Sequence, residues 1–90
     1  MDTAVASEIA RIEHQLRAAL EDISARVAVG AAQEHTLALV RHARDLADAL
    51  ERTVERLDED DDVEGLRRMA AYLSAHLVVL ERDSAGAAIH

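Results

Sequence analysis

Residues 40–57 read VRHARDLADALERTVERL, and the spacing of their apolar side chains decides the fold. Val40, Ala43, Ala47, Leu50, Val54 and Leu57 alternate three and four positions apart, with Leu39 and Leu46 at the edge of the same seam. That alternation is the a/d pattern of a helix burying one stripe against neighbours in coiled-coil fashion. Upstream, Val5, Ile9, Ile12, Leu16, Ala19, Leu20, Ile23 and Val27 recur at the same spacing. Downstream, Val63, Leu66, Ala70, Leu73, Leu77 and Leu80 do so again.

The breaks between these segments are equally legible. Proline is absent, and glycine stands only at positions 30, 65 and 86. Gly30 suits the left-handed conformation that closes a helix, and the apolar residues around it predict a tight turn. The run Asp58-Glu59-Asp60-Asp61-Asp62 repels the carbonyl end of one helix and favours the amide end of the next, with Asp61 and Glu64 spaced as a capping box. The reading is a single all-α domain over residues 1–90, an antiparallel three-helix bundle with helices at approximately 3–29, 32–58 and 62–83 and a flexible tail over 84–90. Glu13/Arg17, Asp22/Arg26, Asp48/Arg52 and Glu64/Arg68 are predicted as helix-supporting pairs on the outer faces.

Ninety residues permit only a thin core, and Tyr72 is the sole aromatic residue. A compact monomer of this mass exposes roughly 5,200 Å² and buries around 60% of its unfolded surface. The third helix also carries a second apolar stripe, Met69, Tyr72 and Val79 with His76 between them, which three helices alone leave partly uncovered. These residues are the expected interface of a homo-oligomer, a homodimer that builds a larger helical bundle.

Charge and composition remove several function classes. Eighteen acidic residues against ten arginines give a net charge of −8, which repels nucleic-acid phosphates and anionic membrane surfaces. No apolar run is long enough for a bilayer span, and no basic stretch followed by an apolar run opens the chain, so a cytoplasmic protein is expected. The absence of cysteine excludes disulfides, thiolate nucleophiles and cysteine zinc sites. The use of arginine for every basic residue suggests a GC-rich, bacterial genome. Phosphate-binding glycine loops, nucleophile elbows, HExxH and lysine are all missing, so no enzyme activity is expected.

Five histidines are the remaining chemistry, because imidazole is the commonest metal ligand and general base. His35 and His42 lie seven residues apart, about 10 Å along a helix, too far to chelate one ion from a single chain. His42 with Asp45 is the best pair within one helix, and His76 lies in the second stripe beside Tyr72 as a hydrogen-bonded interface or core residue. A metal set of His35, His42, Asp45 and His76, joined by Glu34, would have to assemble between subunits. His14 and His90 read as surface groups. Asp58, Asp60 and Asp62 resemble the start of a calcium loop, but Val63 stands where glycine is needed and Met69 where the bidentate glutamate belongs.

Two family resemblances touch short stretches. Arg11-Ile12-Glu13-His14-Gln15-Leu16-Arg17 resembles the opening helix of the copper- and formaldehyde-sensing repressors, small three-helix proteins of this length. Those sensors need a cysteine at the start of the second helix and a basic DNA-binding face, and this chain has neither. Glu13-His14 with Leu16-Arg17, and Ser74-Ala75-His76-Leu77 near Glu81, are similar to helices of hemerythrin-like cation-binding domains. That resemblance implies a four-helix fold and a carboxylate or histidine four residues after each histidine, where Leu80 follows His76. The functional expectation is a small acidic, non-catalytic helical interaction or regulatory protein acting as a homo-oligomer, without cofactor. The alternative is a hemerythrin-like or metal-sensor-like bundle holding a transition metal ion. A further expectation is a basic protein partner docking on the acidic 58–62 turn, with salt-sensitive affinity.

Overall fold

The computed structural model describes residues 3–30, 33–57 and 63–87. Three helices follow in order, α1 over Thr3–Val29, α2 over Gln33–Glu55 and α3 over Val63–Ala87. All three pack against one another in an up-down-up bundle, with α1 and α3 the least closely joined pair. The result is a rod measuring 49 × 18 × 15 Å. Its accessible surface of 5904 Å² exceeds the roughly 5,200 Å² of a compact monomer.

The three apolar stripes meet along the axis of the rod. Leu16, Ile23, Leu50, Leu73 and Val54 are the largest fully buried side chains. Ala19, Ala43, Ala47 and Ala70 are buried between them, and these small residues let the helix backbones come close enough for the leucines to interdigitate. Val5, Val27, Leu39, Leu46, Leu57 and Leu66 line the margin, partly buried against the core. Every apolar position read as part of the three core seams is therefore wholly or partly buried.

Gly30 closes α1 as its position demands. Its φ is +65°, and its N–H donates to the Val27 carbonyl at 3.3 Å. This left-handed conformation costs any residue with a Cβ, and glycine adopts it freely.

Three boundaries or burials differ from the sequence reading. First, α2 ends at Glu55 instead of running to 58. The Arg56 and Leu57 N–H groups turn back to the Thr53 and Val54 carbonyls at 3.3 and 3.1 Å, a tightening common where a helix unwinds. Second, residues 84–87 are not a flexible tail: α3 continues through Gly86 to Ala87, and Ser84 is buried. The first turns of α2 hold this end, with Leu37, Val40, Arg41 and Arg44 lying across from Glu81, Ser84 and Ala85. Third, Met69, expected on the exposed stripe, packs against the core. The predicted acidic turn with its Asp61 cap, and the last three residues of the tail including His90, lie outside the described residues.

Candidate functional site

Residues 69–80 of α3 read MAAYLSAHLVVL and contain no charged side chain, whereas charges interrupt α1 and α2 every few residues. Twelve residues make about 18 Å of helix, more than three turns. A helix that is uncharged around its whole circumference is normally buried on all sides. Here only the inner side is covered, by burial of Ala70, Leu73, Leu77 and Leu80. The outer side presents Ala71, Tyr72, Ala75, Val78 and Val79, and the three large ones keep 64%, 52% and 51% of their surface exposed.

Burial of Leu73, Leu77 and Leu80 sets the rotation of α3, and two polar bonds tie the helix to α2. Ser74 Oγ donates to Glu51 Oε1 of α2 at 2.7 Å, and Arg44 of α2 pairs with Glu81 of α3. Both ties lie on the α2 side, one in the middle of the charge-free segment and one just past its C-terminal end.

The opposite flank of α3 borders an open groove of about 470 Å³ against α1. Leu20, Ser24, Ala25 and Ala28 of α1 give it short walls, Arg17 and Glu21 its charge, and Tyr72, Leu73 and His76 the α3 side. Arg17 is held by Glu13 one turn earlier, Nε donating to Oε2 at 2.8 Å. His76 is half-buried and stands beside Tyr72, their ring centroids 6.3 Å apart and planes tilted by 46°. Among the described residues, the hydrogen bond expected for His76 is not formed, and Tyr72 is its ring neighbour.

The structure separates the residues considered as metal ligands. Glu34, His35, His42 and Asp45 are exposed on α2, whereas His76 faces the α1–α3 groove, to which α2 contributes no lining residue. Among the described residues, no group of three or more histidine, cysteine, aspartate or glutamate side chains lies close enough to hold one ion. His14 is exposed on α1 as read from the sequence.

Of the four interface residues read from the spacing, Tyr72 and Val79 are on the exposed face, His76 is at its edge, and Met69 is partly buried against the core. Val78, Ala71 and Ala75 belong to the face and were not among them. The signal that marks them is the charge-free window itself, since apolar spacing from Met69 to Val79 traces only one flank. Among the described residues, no helix is long and apolar enough to cross a membrane. No protein-family model, curated protein or solved structure matches the chain.

Proposed function

We propose that this chain is a non-catalytic helical interaction protein that acts as a homo-oligomer, with the outer side of α3 as its contact face. One observation carries the reading: Tyr72, Val78 and Val79 stand exposed on a charge-free helix surface in a chain of net charge −8. Contiguous exposed apolar surface of this kind marks an interaction site, because leaving it in water forgoes about 25 cal/mol per Å². The elongated, surface-rich shape adds to the case, since self-association supplies the burial that ninety residues alone do not. A cytoplasmic location belongs to the same proposal.

Val79→Asp tests the reading, because it places a charge in the middle of the face at an exposed position that the fold tolerates. Light scattering is expected to show the oligomer reduced to monomer with helical circular dichroism retained; an oligomer unchanged by the substitution would remove α3 from the contact.

A transition-metal bundle remains the competing proposal. It would have to draw its ligands from more than one chain, given the separation of His76 from His35, His42 and Asp45. Elemental analysis of untagged protein, never exposed to chelator, decides it, and a stoichiometric metal would displace the non-catalytic interaction reading.

A further inference from the structure

We infer that two copies of this chain pair through α3 in antiparallel orientation, with the two-fold axis passing between Ala75 and His76. The inference rests on the proposed role of the α3 face and specifies its partner and register.

Net charge selects the helix. Arg67, Arg68 and Arg82 balance Glu64, Glu81 and Asp83, so α3 is neutral, whereas α2 holds five carboxylates, Glu34, Asp45, Asp48, Glu51 and Glu55, against Arg41, Arg44 and Arg52. Two chains each carrying −8 therefore meet least repulsion where their α3 helices approach.

Charge order then selects the direction. The apolar face is preceded by Arg67 and Arg68 and followed by Glu81, Arg82 and Asp83, so its start is net positive and its end net negative. Parallel pairing would oppose Arg68 to Arg68 and Asp83 to Asp83, like charges at both ends. Antiparallel pairing sets each Arg68 against the Asp83 of the second copy, twice per dimer. Arg68 is available for this: its bond to Glu64 is 3.9 Å long and both side chains are about four-fifths exposed.

Side-chain size fixes the register. Arg68 with Asp83 and Tyr72 with Val79 share one midpoint, between Ala75 and His76. In that register the Tyr72 ring of one copy covers Val79 of the other, and the small Ala75 residues meet near the axis, where helices approach to 8–10 Å. An arrangement of this symmetry closes on itself and leaves no surface for further addition, so the assembly stops at two.

The chain's lack of cysteine makes single substitutions unambiguous reporters. Ala75→Cys and Ala71→Cys, both at exposed positions, are oxidised separately and run on non-reducing gels, alongside light scattering of the reduced proteins. Antiparallel pairing predicts a covalent dimer with Ala75→Cys and none with Ala71→Cys, whose thiols would sit about 13 Å apart along the axis. Cross-linking of both variants would show parallel pairing and overturn the inference. A dimer by scattering with neither variant cross-linked would also overturn it, leaving the homo-oligomer reading intact, whereas a monomer by scattering defeats that reading itself. As a second measurement, Arg68→Asp is expected to weaken dimerisation by about tenfold and Arg68→Asp/Asp83→Arg to restore it; a double variant as weak as the single one would exclude the pairing.

Discussion

Tyr72 and His76 stand one turn apart on α3, their rings 6.3 Å apart and tilted by 46°, at the line where the outer apolar face meets the groove against α1. Tyr72 thus belongs to two surfaces, one wall of a groove and the rim of the exposed apolar face. Its exposure separates its two contributions, because truncating it removes little from the interior.

Tyr72→Ala is therefore expected to leave the monomer's stability nearly unchanged, within about 0.5 kcal/mol, while shifting self-association toward monomer. Chemical denaturation in dilute solution and sedimentation at higher concentration measure the two separately.

Leu73, the next residue, is expected to behave in the opposite way. It is 1% exposed within the core, and Leu73→Ala leaves a cavity costing about 2–5 kcal/mol. In a domain this small that is a large share of the total stability. Urea denaturation should show the midpoint falling steeply or the helical signal lost altogether.

Gly30→Ala isolates a backbone effect. Its φ is +65° and nothing lies within 4 Å of an added Cβ, so the cost is conformational, about 1 kcal/mol. Gly30→Asn should cost less, since asparagine tolerates this region better than alanine. Thermal melts of the two variants check the order.

Removal of residues 84–90 tests the continuation of α3. The deletion strips the buried Ser84 from the start of α2, so helicity and melting temperature should both fall. A tail of no structural consequence would leave both unchanged.

The fold was legible because burial in a helix bundle follows period and size, which residues such as Val40, Ala43 and Leu50 display directly. Thr36 and Thr53 are buried although their polar side chains stand outside the apolar period. Thr53 shows why: its Oγ1 donates to the Ala49 carbonyl at 2.7 Å, which satisfies the hydroxyl inside its own helix and leaves a methyl for the core. The extension of α3 past residue 83 follows from packing of Ser84 and Ala85 against α2, which the local pattern does not display. Asp48 and Arg52 were spaced as a pair yet form no bridge, whereas Glu13–Arg17 and Asp22–Arg26 close at 2.8 and 3.2 Å. Exposed pairs of this type gain so little that spacing alone does not fix them. The exposed apolar face was half legible: Tyr72 and Val79 follow from spacing, but Val78 and the partial burial of Met69 depend on how α3 is rotated within the bundle, which no local pattern encodes.

Self-association is the claim on which the rest depends, and sedimentation velocity of the untagged wild-type chain across a micromolar concentration series tests it most directly. The prediction is a species of twice the 9.8 kDa chain mass, dissociating on dilution without passing through larger assemblies. A single 9.8 kDa species at every concentration would contradict it.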